Sequence, residues 1–169
     1  MAISPDPPRA LLIVGMHRSG TSAAALALAR MGWSLGADLL ETQADINRDG
    51  FGENRRLVAL NEKLLDHFGT AWFELIDWPA DWEKTAEAGD FLKEAKIIFT
   101  EQFQGEQKIL LKDPRLCLTL PFWMQALKEA GFAARVILQW RHPQAVAQSL
   151  KSRDSLPIPA GLLLWLHYT

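Results

Sequence analysis

The sequence predicts an α/β domain with a parallel sheet and helices on both faces, a three-layer α/β/α arrangement. Three observations predict it. Apolar runs of strand length occur at Ala10–Val14, Lys108–Leu111 and Ala134–Trp140, and helix-like patterns separate them. Each run ends in a polar cluster holding a cation: Arg18, Lys112 and Arg141. The first run also stops at Gly15, crosses a short polar loop and enters an Ala/Leu-rich helical pattern from Ser22 to Met31. In such sheets ligands sit beyond the carboxyl ends of the strands. The three cations are therefore expected at one edge, around one anionic ligand.

The elements follow in order. Met1–Arg9, with Pro5, Pro7 and Pro8, reads as a flexible lead-in to a single domain over residues 10–169. The helix after the loop ends at Gly32. Gly36–Gly52 lacks periodicity and is expected to be an irregular, functional connection. Glu53 opens a second helical pattern with Leu57, Leu60, Leu64, Leu65 and Phe68 on one face, ended by Gly69. The aromatic stretch Trp72–Trp82 follows. Core packing is its favoured reading, and an aromatic wall or lid over a pocket is the alternative. A helix is expected from about Trp82 to Phe103, weakened by Gly89, and another from about Leu118 to Ala130. Ala134–Trp140 is apolar almost throughout, as for a strand covered on both faces. Gln144–Lys151 reads as helix, and a further helix begins near Ala160. The pattern still running at Thr169 suggests a C-terminally incomplete domain.

Composition narrows the classes. With 169 residues, 49% of them hydrophobic and 22% charged, the chain can bury a core. A net charge of −2 provides no broad basic field and argues against nucleic acid. No apolar run approaches the roughly 18 residues of a membrane span. A single cysteine, Cys117, excludes an intrachain disulfide and fits a reducing, cytoplasmic setting.

The first loop, Gly15-Met16-His17-Arg18-Ser19-Gly20-Thr21-Ser22, brings a glycine turn and a helix N-terminus to one point. Unpaired amides and the positive end of the helix dipole there suit phosphate or sulfate. The glycine spacing matches a nucleotide-triphosphate loop, but Thr21 stands where the lysine would be and the cation is Arg18. Arg18-Ser19-Gly20-Thr21-Ser22 resembles instead the 5′-phosphosulfate loop of the sulfotransferase superfamily. Those enzymes transfer a sulfuryl group from 3′-phosphoadenosine 5′-phosphosulfate (PAPS). Arg141, followed by His142-Pro143 and by Ser149 eight positions on, is similar to the arginine and serine that hold the donor's 3′-phosphate in that family. Lys112-Asp113-Pro114 resembles the Lys-x-Pro of its tyrosylprotein and carbohydrate branches, where the lysine reaches towards the sulfuryl group or the acceptor.

The resemblance implies a P-loop NTPase-like sulfotransferase fold and PAPS as co-substrate, with no metal required. It also implies a hydroxyl or amine acceptor: a carbohydrate, a small molecule or a peptide. Ser19, Gly20, Thr21 and Ser22 with Arg18 would hold the 5′ end, and Lys112 would neutralise the bridging oxygen. Glu53 is the first candidate for the general base, held ionised by a helix N-terminus; His17 is second and Glu41 third. His67, His142 and His167 look structural or exposed. Arg115 either assists Lys112 or pairs with Asp113, while Lys151 and Arg153 offer electrostatic support to the 3′-phosphate grip or, as the more ready reading, form a solvated face. Two alternatives stay open. One is a P-loop nucleotide kinase or NTPase-like domain with Asp113 and Ser22 on magnesium. The other is an inactive nucleotide-binding module.

Overall fold

The computed structural model describes residues 6–41 and 50–169. Strands β1 (Arg9–Val14), β2 (Lys108–Lys112) and β3 (Ala133–Leu138) form an open parallel sheet in the order β2-β1-β3. Leu12 lies level with Leu111 on one side and Val136 on the other. Six α-helices occur among the described residues: α1 (Thr21–Arg30), α2 (Arg55–His67), α3 (Gly89–Gln102), α4 (Leu116–Glu129), α5 (Pro143–Asp154) and α6 (Ile158–Tyr168). None is long and apolar enough to cross a membrane.

β1 is apolar at every position from Ala10 to Val14 because both of its faces are covered. Leu11 and Ile13 pack with Leu110 against Ala25 of α1. Ala10, Leu12 and Val14 pack on the opposite side against α2, α3 and α4. The stripe expected on α2 is real: Leu57, Leu60 and Leu64 are fully buried, each stabilising by roughly 1.5–3 kcal/mol over an exposed position. A third cluster joins Met16 of the first loop to Leu65, Leu118, Val146, Leu150, Leu164 and Tyr168. It seats the α5–α6 pair beside the strand tips.

Several expectations are corrected. α2 starts at Arg55, not Glu53, because Asn54 is its N-cap and accepts from the Arg56 and Leu57 amides at 3.1 and 3.3 Å. The long helix expected over Trp82–Phe103 is split into a 3-10 turn, Trp82–Lys84, and α3, with Thr85 extended between them. β3 is not covered on both faces. It is an edge strand, and Val136, Ile137 and Leu138 are 41%, 37% and 51% exposed. An apolar run signals a strand here but not a central one, since α5 and α6 lean towards the loop rather than over β3. The aromatic stretch divides. Trp78 and Trp82 join the core, Phe73 and Leu75 are exposed, and Trp72 packs on His17. Residues 1–5 of the lead-in and 42–49 of the Gly36–Gly52 connection lie outside the described residues.

Gly15 shows why the loop begins with glycine. Its φ is +149°, and a Cβ there would lie 2.4 Å from the Gln139 carbonyl oxygen, which is backbone and cannot swing away. Gly15→Ala is expected to cost roughly 2–4 kcal/mol through backbone strain and overpacking. Urea denaturation checks this, and an unchanged midpoint would contradict the close packing of β1 on β3 at this point.

Candidate functional site

The loop is tied on both sides. The Gly15 amide donates to Cys117 Sγ at 3.0 Å, and burial pushes that thiol up to about 12, so it serves as an acceptor and not as a nucleophile. The Ser19 amide and hydroxyl both donate to the Met16 carbonyl, at 3.1 and 2.6 Å, closing a tight turn. Within it Arg18 takes a left-handed φ of +69°, unusual for a residue with a side chain. The turn aims that side chain across to α5, where Nε donates to Ser149 Oγ at 2.8 Å. Arg141, just beyond β3, returns a hydrogen bond from Nη1 to the Arg18 carbonyl at 2.9 Å.

α1 then starts with Gly20 as its left-handed N-cap. Among the described residues no side chain caps it, and no acidic residue occupies its first turn. Gly20, Thr21 and Ser22 thus present a helix N-terminus to the same space as Arg18.

Lys112 ends β2 and is 2% exposed. Its ammonium donates to Ser22 Oγ at 3.1 Å, to the Phe51 carbonyl at 3.0 Å and to Glu53 Oε1 in a close ion pair. All three ammonium protons therefore have partners. Burial raises the Glu53 carboxyl above its ordinary range, and the Lys112 ammonium pulls the other way. This replaces the helix-dipole explanation, because Glu53 precedes the N-cap of α2. Glu53 Oε2 has no hydrogen-bond partner among the described residues.

A buried network beneath Lys112 fixes the β2–α4 corner. Asn61 on α2 donates to Asp113 Oδ2 at 2.8 Å, and its carbonyl oxygen accepts from Thr119 Oγ1 and Trp123 Nε1, both at 2.8 Å. Asp113 Oδ1 accepts from the Arg115 amide and from Arg115 Nη1, at 3.0 and 2.9 Å. Arg115 is thus a partner of Asp113, and both Asp113 oxygens are occupied. Neither of the two residues suggested for magnesium, Asp113 and Ser22, is free of protein contacts.

One cleft of about 280 Å³ gathers Arg18, Lys112, Arg141 and Glu53 with His17 and Arg153, and Gly20, Thr21 and Ser22 line it too. The expected convergence of the three strand tips is therefore present. Ser149 joins through its bond to Arg18. Glu41 is not part of it; exposed, it borders a separate groove with Phe51, Glu53 and Arg55.

His17 is held well below the usual histidine range, first by burial and then by the Arg115, Arg153, Lys112 and Arg18 cations. Its imidazole is therefore neutral at neutral pH, and Nε2 is buried without a partner among the described residues. Burial lowers the Arg18 guanidinium, and repulsion from Arg153 and Arg141 adds to this against the pull of Asp154. His67, by contrast, pairs with Glu87 at 3.2 Å, His142 is the exposed N-cap of α5, and His167 Nε2 accepts from the Ile76 amide at 3.4 Å. None of the three lines this cleft.

Two contributors have no site role in the sequence reading, Asn61 and Phe51, while Trp72 and Arg153 enter there only under its less favoured alternatives. Asn61 had a readable signal, a polar residue on the apolar stripe of α2 one turn after Leu57. Phe51 acts through its carbonyl, which leaves no mark in a sequence. No model of a known protein family matches the chain, and comparison with curated proteins finds no significant similarity.

Proposed function

We propose that this chain is a PAPS-dependent sulfotransferase domain, built on a P-loop-like sulfotransferase fold, that transfers a sulfuryl group to a hydroxyl or amine. The observation that carries the reading is the shared cleft. A guanidinium in the loop and a guanidinium beyond β3 meet around an uncapped helix N-terminus, with a buried lysine–glutamate pair beside them.

In this reading Arg18 and the amides of Gly20, Thr21 and Ser22 hold the 5′-phosphosulfate, while Arg141 and Ser149 hold the 3′-phosphate. Guanidinium forks suit phosphate, and a serine hydroxyl adds a further donor. Ser149 Oγ can accept from Arg18 and still donate its proton to a phosphate oxygen. Glu53 takes the acceptor's proton as its oxygen or nitrogen attacks sulfur. The bond between sulfur and the bridging oxygen breaks, and adenosine 3′,5′-bisphosphate leaves with that electron pair. As Glu53 takes that proton, the Lys112 ammonium loses its counter-charge. Its field then offsets the charge gathering on the bridging oxygen, with its three protons still held by Ser22, Phe51 and Glu53. His17, neutral and unpartnered, is the second candidate for the base. The chemistry asks for positioning and fixed charge and not for a metal.

The test is transfer of labelled sulfuryl from PAPS to a panel of alcohols, phenols, sugars and amines in the presence of a chelator. Transfer that survives chelation supports the reading. Bisphosphate binding without transfer to any acceptor would favour an inactive nucleotide-binding module, and magnesium-dependent ATP binding would favour an NTPase-like domain. Arg141→Ala is expected to weaken bisphosphate binding by about 10–100-fold, the worth of a charge-assisted contact. Titration calorimetry measures it.

A further inference from the structure

We propose that Arg153, laid on Trp72, is a ready-made fork for an anionic group of the acceptor, so that the acceptor carries a carboxylate or sulfate besides its reactive hydroxyl or amine. The inference rests on the sulfotransferase reading of the same cleft. Arg153 lies in the last turn of α5, its side chain only 22% exposed, against the expectation of a solvated face.

Its orientation is fixed twice. Nε donates to both oxygens of Asp154, at 2.8 and 2.7 Å. The guanidinium carbon stands 5.7 Å from the centre of the Trp72 ring, a cation–π distance. Trp72 is fixed in turn, since its ring packs on His17 with centroids 4.4 Å apart and its carbonyl accepts from Tyr168 Oη at 2.7 Å. With Nε engaged, Nη1 and Nη2 have no hydrogen-bond partner among the described residues, yet Arg153 lines the cleft. Two parallel N–H groups held this way match a carboxylate or a sulfate oxygen pair. An exposed arginine would lose side-chain entropy on binding; this one is already ordered.

The donor's two charged ends already have their contacts, at the loop with α1 and at Arg141 with Ser149. Arg141 is held at the loop by its bond to the Arg18 carbonyl, whereas Arg153 stands over Trp72, whose ring packs on His17. Arg153 is therefore on the His17–Trp72 side of the cleft, the side left for a second substrate.

The experiment uses protein saturated with 3′,5′-adenosine bisphosphate. D-glucuronate, a hydroxylated carboxylate, and D-glucose, its neutral counterpart, are titrated at constant ionic strength. The Trp72 indole N–H resonance, assigned with Trp72→Phe, reports binding beneath the fork. Glucuronate is expected to bind at least about tenfold more tightly than glucose. Arg153→Ala should remove that preference, and Arg153→Lys should lose most of it, because an ammonium keeps the charge without the fork. Bisphosphate affinity should stay within about threefold in both variants. Equal binding of the two sugars by the wild type would overturn the inference. So would a loss of bisphosphate affinity in Arg153→Ala as large as in Arg141→Ala, which would assign Arg153 to the donor and leave the sulfotransferase reading standing. A wild type that takes no bisphosphate would remove that reading and this inference together.

Discussion

Lys112→Ala is expected to cost about 3–5 kcal/mol of stability at neutral pH, because it leaves the Glu53 carboxylate buried without its partner. The loss should depend on pH, and its sign follows from Glu53. Burial already holds that carboxyl above its ordinary range in the folded chain. A carboxyl raised on folding stabilises the fold at pH values below its unfolded pKa, and that contribution is lost as pH rises through the folded pKa. Removing Lys112 takes away the opposing pull and raises the folded value further. The deficit of the variant should therefore be small near pH 4, where Glu53 is protonated, and should grow towards pH 7. Urea midpoints at the two pH values measure it. Adding Glu53→Gln to Lys112→Ala should restore most of the stability, since a neutral amide tolerates the site better than an unpaired charge. A loss that is uniform across pH, or no rescue in the double variant, would contradict the buried ion pair.

Glu53→Gln alone is expected to lower sulfuryl transfer by about 10²–10⁴-fold, the usual contribution of a positioned base. Bisphosphate affinity should stay within a few-fold, because no donor-binding contact is removed. The pH profile separates this from a structural effect. A base must be deprotonated to act, so wild-type transfer should fall at low pH, along a limb lying above the ordinary carboxylate range because burial raises Glu53. That limb should vanish in the variant. If Glu53→Gln keeps more than about a tenth of wild-type turnover and His17→Asn abolishes it, the base is His17. Its neutral imidazole is available throughout the same range.

The strand-to-loop-to-helix stretch from Ala10 to Met31 was legible because local rules fix it. An apolar run, a glycine that alone fits beside Gln139, and a helix start are all written within a few residues. The gathering of Arg18, Lys112 and Arg141 was legible for a topological reason, since parallel strands put all their carboxyl ends at one edge. Sheet order was not. β1 and β3 both read as apolar runs, but one is central and the other an edge, and only long-range packing decides that. The start of α2 lies two residues beyond Glu53, because Glu53 and Asn54 both suit a helix N-terminus and the Asn54 cap geometry chooses between them. Sequence favours a solvated face for Arg153 because helical periodicity says nothing about Trp72, 81 positions earlier in the chain. The ion pair of Lys112 with Glu53 joins residues 59 apart in sequence. Each member is a site candidate from sequence on its own, but their mutual neutralisation appears only in three dimensions.

Titration calorimetry of the wild-type chain with 3′,5′-adenosine bisphosphate against 5′-AMP tests the shared cleft most directly. The two ligands differ only in the 3′-phosphate, the group assigned to Arg141 and Ser149. Binding of the bisphosphate at least about tenfold tighter than 5′-AMP, with the difference abolished by Arg141→Ala, is the expected result. Equal affinity for the two nucleotides, or a preference untouched by Arg141→Ala, would contradict a nucleotide held at both ends between the loop and the tip of β3.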